Sequence, residues 1–248
     1  MWEPKTLADF NPTAGVNFHP EMLFHAGELG IYPMRVIAQW SVIDARLAGV
    51  LASMLKDNFA VAVSMYTSLD TEGAKRDVLI AASEVALVKD DQALLKEVIN
   101  ALQSHRKRRH KFSHGLWGIT TGTDGAKALA IMHKDEAPRF AVHVQKAEEA
   151  ANASGQIPRY EGKSSWAPNP NTTLVYTAED LRRCVLEVDR MRLMVEFLAD
   201  VLSGHPEAPA KRRWLENELD AHRKIRGKSP KKSPLTRRQK RDRKRQRK

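Results

Sequence analysis

The stretch Arg109-His110-Lys111-Phe112-Ser113-His114 places an arginine and a histidine five positions apart, followed by Gly115-Leu116-Trp117-Gly118. Arginine grips phosphate through a planar fork of donors, and histidine exchanges protons near neutral pH. Beside one phosphodiester, such a pair can break the ester without a metal. The histidine acts as base or acid, and the arginine stabilises the charge that builds on the phosphoryl oxygens. His105, His110 and His114 also raise metal ligation, since His110 and His114 stand one helical turn apart. No carboxylate completes that set, and the surrounding arginines and lysines disfavour a cation, so neither a metal nor another cofactor is expected. The same basic residues also suit a helix end with no chemistry, where they meet exposed carbonyls.

Helical phase ties the segment to a core. Val98, Leu102, His105 and Arg109 follow steps of four, three and four, in line with the apolar Leu94, Leu95 and Ile99. Arg109 is therefore expected on the inward face, with Lys107 and Arg108 on other faces. An arginine on the core side needs a partner or a ligand to offset its burial. Asp44, between Trp40 and Ala48 on the apolar side of an earlier helix, is the candidate partner. Paired with Arg109 or His114, it would orient the site. His114 is expected beyond the end of the helix, in a loop that folds back toward Arg109.

The elements around this segment read mostly as helix. Trp40, Ile43, Leu47, Val50, Leu51 and Met54 mark a core-facing stripe from about Pro33 to Lys56. Shorter helical periods cover Phe59 to Tyr66 and the stretch from Ser68 or Asp70 to Val88, and Asp90 or Asp91 opens the helix that carries Arg109. Leu116–Thr121 and Lys127–His133, around Gly122-Thr123-Asp124-Gly125, predict a β-hairpin. A short helix over 138–150 and a long loop over 152–171 follow. Thr177-Ala178-Glu179-Asp180 then starts a helix that ends at Ser203-Gly204.

The expected fold is all-α: an up-down bundle of about four main helices with an inserted hairpin and long loop, plus a disordered basic C-terminal tail. The expected boundaries are an N-terminal arm over 1–30, a helical domain over 31–204 with its insert at about 116–173, a linker or short helix over 205–222, and the tail over 223–248. Trp40 and Trp117 are expected to pack, and Trp166 to be an exposed contact.

Charge is unevenly spread. The chain of 248 residues carries a formal +11, but 15 Lys/Arg and only Asp242 fall from Arg223 onward; the rest holds 26 Lys/Arg against 29 acids. Basicity therefore belongs to the tail, which can bind phosphate backbones without sequence preference. Cys184 is the sole cysteine, which excludes an internal disulfide and a thiol-rich zinc site and suits a reducing cytoplasm. Neither a signal peptide nor a membrane span is expected.

Arg109-His110-Lys111-Phe112-Ser113-His114 resembles the signature of the HEPN (higher eukaryotes and prokaryotes nucleotide-binding) superfamily: an arginine, a polar residue, three variable residues and a histidine. Ser113-His114-Gly115-Leu116-Trp117 is similar to a small-His-Gly-x-Trp run in bacterial members. The resemblance implies a helical bundle with the motif at the end of a penultimate helix. It implies Arg109 and His114 as a catalytic pair assisted by His110, metal-free attack by the RNA 2′-hydroxyl, and a homodimer in which two motifs line one cleft. Asp44 would orient the pair. Arg106 and Arg108, with Arg237, Arg238, Lys240, Arg241, Arg243, Lys244 and Arg245 of the tail, are the candidate RNA contacts. The function expected is an endoribonuclease or an inactive relative in toxin, defence or stress biology, with an antitoxin or ribosome as partner. Two other classes fit the sequence: a non-enzymatic RNA- or ribosome-associated protein working through its tail, and a structural subunit of a nucleoprotein particle.

Overall fold

A computed structural model describes residues 3–19, 21–56, 58–133, 135–154 and 168–227. The chain begins with β1 (Lys5–Thr6), α1 (Leu7–Phe10), β2 (Asn17–Phe18) and α2 (Met22–His25). The long helices follow: α3 (Glu28–Met54), α4 (Phe59–Thr67), α5 (Glu72–Ala86) and α6 (Lys89–His114). The hairpin β3 (Trp117–Thr121) and β4 (Lys127–Ile131) leads to α7 (Ala137–Ser154) and β5 (Leu174–Tyr176), and the order closes with α8 (Ala178–Leu202) and α9 (Ala208–Gly227).

Local chemistry sets several helix starts. Thr177 and Asp180 form a full capping box on α8, and the Thr71 side chain accepts the Ala74 amide to start α5. Pro33 lies inside α3, five residues after its start, where it cannot supply the amide that would otherwise bond to the Leu29 carbonyl. Gly30 is required there: a Cβ would lie 1.8 Å from the carbonyl oxygen of Leu23. Ile43, Leu47, Val50 and Leu51 of α3 share one core with Leu95, Val98, Ile99 and Leu102 of α6 and with Leu181, Val188, Val195 and Leu198 of α8. Helix α3 is long and apolar enough to cross a bilayer, with a mean hydropathy of 1.2 over its best window, and here it is the central helix of that core.

The all-α expectation needs correction. The molecule is mostly helical, but the hairpin sits inside a five-stranded antiparallel sheet of order β1-β5-β4-β3-β2. Strand alternation divides its faces. Leu129 and Ile131 join Trp117 and Tyr176 in the helical core, while Ala128, Ala130 and Met132 join Leu7, Phe18 and Val175 in a second apolar cluster on the opposite face. Trp40 and Trp117 are both buried.

The two terminal segments take defined places in the fold. The N-terminal arm contributes β1 and β2, and the Asn11 amide and the Thr120 hydroxyl bond it to the hairpin by contacts of 3.0 Å to the carbonyls of Thr121 and Gly15. The segment expected as a linker or short helix over 205–222 lies largely in α9, whose Leu215 and Leu219 are buried and whose Arg212 pairs with Asp91. Helix α9 continues to Gly227, so the first residues of the expected tail are helical. Residues 228–248, Trp166 and most of the expected long loop lie outside the described residues.

Candidate functional site

Helix α6 does not stop before His114; it runs through it, and the Gly115 amide closes the last turn on the Lys111 carbonyl at 2.8 Å. The expectation of His114 in a returning loop is thereby corrected. Gly115 is forced by close approach, since a Cβ there would lie 2.5 Å from the Lys111 oxygen and 2.6 Å from Ile131 Cγ2. The Trp117 indole donates to the Phe112 carbonyl at 3.2 Å, and the Phe112 ring meets Trp117 and Tyr176 edge-on. The end of α6 is thus locked onto the sheet.

The phase of α6 also differs from expectation. Val98, His105 and Phe112 are buried, and Arg108, expected on another face, also turns inward to Glu187, while Arg109 is half-buried with its Nε enclosed. The Arg108 guanidinium, 11% exposed, pairs with Glu187 of α8, and His105 Nδ1 lies 3.6 Å from the same carboxylate. Cys184 is buried beside them. Burial pushes its thiol up to about 12, with Glu187 and Asp180 adding to the effect and Arg108 opposing it. Arg108 is therefore tied to a structural cluster and does not join Arg109.

Arg109, His110 and His114 line a single cavity of about 540 Å³. Its walls come from the end of α6, from Ile131, Met132 and His133 at the end of β4, from Ala137, and from Thr172 and Leu174. His110 and His114 are exposed, with ring centroids 4.5 Å apart. Arg106, Lys107 and Lys111 bring three further cations, and Glu72 is the one carboxylate among the lining residues. That carboxylate is engaged, at 3.1 Å, by Arg106 Nε. Among the described residues no acid pairs with Arg109, and its buried Nε has no hydrogen-bond acceptor. A cationic cavity with unmatched donors is suited to an anion.

Asp44 does not reach this cavity. It lies 3.6 Å from Lys75 and faces the buried Tyr66. Burial, with the Asp44 charge next in size, holds the Tyr66 phenol far above its ordinary range. The expected Asp44–Arg109 or Asp44–His114 pair is therefore replaced by Asp44–Lys75. Arg106 lies in the same region and lines the cavity while held by Glu72. The tail residues Arg237, Arg238, Lys240, Arg241, Arg243, Lys244 and Arg245 lie outside the described residues.

One cavity residue was not singled out from the sequence. His133 follows β4, and its Nδ1 accepts the Asp135 amide at 3.3 Å. Strand pairing brings it to the site: Trp117 is opposite Ile131 and the Met132 amide donates to the Leu116 carbonyl, which carries the residue after Met132 toward the end of α6. Away from the cavity, His19, Glu21 and His25 hold one potential metal-ligand atom each within 4.8 Å of one another. There, His19 Nδ1 accepts the Glu21 amide, so the neutral ring carries its proton on Nε2 and turns no lone pair to a cation.

Compared with known proteins, the chain matches no protein-family model, no curated protein and no solved structure.

Proposed function

We propose that the protein is a metal-independent endoribonuclease of the HEPN type. The reading rests on one observation: Arg109, His110 and His114 line a shared cavity in which cations outnumber carboxylates and, among the described residues, no acid pairs with Arg109. Arg109 holds the scissile phosphate and stabilises the charge of the transition state. His114 takes the proton of the ribose 2′-hydroxyl, and His110, packed on His114, orients that ring. The 2′-oxygen attacks phosphorus, and cleavage leaves a 2′,3′-cyclic phosphate and a 5′-hydroxyl. A second copy of the chain pairs two such cavities in a homodimer, and the basic tail retains RNA near them. An antitoxin or a ribosome is the partner class that goes with this activity.

The test is incubation of RNA in EDTA with the full chain, with His114→Ala and with a chain ending at Gly227, which keeps α9. Cleavage giving cyclic-phosphate ends is expected from the full chain and the shortened one, with a loss of about 100-fold or more in His114→Ala. RNA binding without cleavage, abolished by the truncation, supports a non-enzymatic RNA-binding protein instead.

A further inference from the structure

Transesterification of RNA requires two proton transfers on opposite sides of phosphorus. One group removes the 2′-hydroxyl proton, and another protonates the departing 5′-oxygen, which lies in line with the attack. His110 and His114 stand on one face of α6 with their rings 4.5 Å apart, so both approach a bound phosphate from the same wall. His133 reaches the same cavity from a different element. The β3–β4 pairing, carried on by the Met132 amide donating to the Leu116 carbonyl, brings the end of β4 beside the end of α6, and His133 lines the same cavity from there.

Among the described residues the ring of His133 is held through Nδ1. Its Nδ1 accepts the Asp135 amide at 3.3 Å and lies 3.4 Å from the Asp135 carboxylate, which leaves Nε2 as its proton-bearing atom. The side chain is 44% exposed, so it is open to a ligand and is not a core histidine. When the ring is protonated, Asp135 Oδ2 can accept from Nδ1–H while Nε2–H remains to be given away. A carboxylate holding one imidazole nitrogen while the other exchanges a proton is a common arrangement for an acid–base histidine.

We propose that His133 is the general acid of this site, a catalytic residue that protonates the 5′-oxygen leaving group. The proposal rests on the endoribonuclease reading above. As His114 takes the 2′-hydroxyl proton, the P–O2′ bond forms and the P–O5′ bond breaks. The Nε2 proton of the His133 imidazolium passes to the 5′-oxygen. The site ends with one proton on His114 and a neutral His133, and the products are a 2′,3′-cyclic phosphate and a 5′-hydroxyl. Solvent exchange resets both rings.

The test compares two substrates with the full chain in EDTA: an RNA oligonucleotide, and the same oligonucleotide with a 5′-bridging sulfur at the scissile phosphate. Thiolate is a good leaving group and departs without a proton. His133→Ala is expected to lose about 100-fold or more on the oxygen substrate and to retain near wild-type rate on the sulfur substrate. His114→Ala is expected to lose rate on both. The sulfur substrate also reports that His133→Ala is folded. Equal losses by His133→Ala on the two substrates, or no loss on either, overturn the assignment of His133 while leaving the endoribonuclease reading in place. Absence of cleavage of either substrate by the wild-type chain overturns both.

Discussion

Two faces of the last turns of α6 put the same residue types to different uses. On the inner face of α6, His105 and Arg108 meet Glu187 and lie against the buried Cys184. On the cavity face, half-buried Arg109 and exposed His110 and His114 line a cavity in which, among the described residues, no acid pairs with the arginine. The difference lies in the counter-charge. An arginine closed by a carboxylate has its donors spent on holding α6 to α8, whereas an arginine without one has donors left for a ligand. Arg-His spacing alone does not distinguish them; what each side chain touches does.

The inner face is broken most severely by Glu187→Ala, which leaves Arg108 without its carboxylate partner. A loss of about 3 kcal/mol in urea denaturation is expected for this partly buried pair. A loss below about 1 kcal/mol would mean that the cluster does not hold α6 to α8.

Next in size is Gly115→Ala, which drives a Cβ onto the backbone of Lys111 and onto Ile131. Overpacking of this kind costs about 1–3 kcal/mol, and because it pushes the α6 end from β4 it should also slow RNA cleavage. A fully stable and fully active variant would show that the cavity does not depend on that close approach.

The smallest effect concerns Cys184, whose thiol the fold keeps neutral, with its pKa pushed up to about 12. A raised folded-state value means that the contribution is fully present below the thiol's ordinary pKa and is lost as pH rises through about 12. Stability should therefore fall more steeply across the alkaline range in the wild-type chain than in Cys184→Ala. Parallel curves for the two proteins would contradict the burial assigned to this thiol.

Much of the helical frame was legible because it rests on local rules. The Thr177–Asp180 capping box, the apolar period of α3 and the glycine-bounded hairpin turn each appear in a short window of sequence. Strands β1, β2 and β5 did not, since two or three residues give no alternation and their partners are distant in sequence. Counting inward from Val98 at 3.6 residues per turn lands between 108 and 109, so phase alone could not choose between the two arginines; Glu187, on another helix, decided it. Asp44 was recognised as needing a partner, but Lys75 supplied it from α5. The Arg109–His110–His114 grouping was visible as a motif, whereas His133 needed the hairpin register to bring it toward the end of α6.

The central claim is that Arg109 serves a ligand and Arg108 serves the fold, and a paired measurement on Arg108→Ala and Arg109→Ala tests it most directly. Arg108→Ala is expected to lower Tm by roughly 5–10 °C, the shift that about 3 kcal/mol gives a chain of this length. Arg109→Ala is expected to leave Tm within a degree or two while cleavage of RNA in EDTA falls about 100-fold or more. An Arg109→Ala protein that melts as early as Arg108→Ala, or that cleaves RNA at the wild-type rate, would contradict the account.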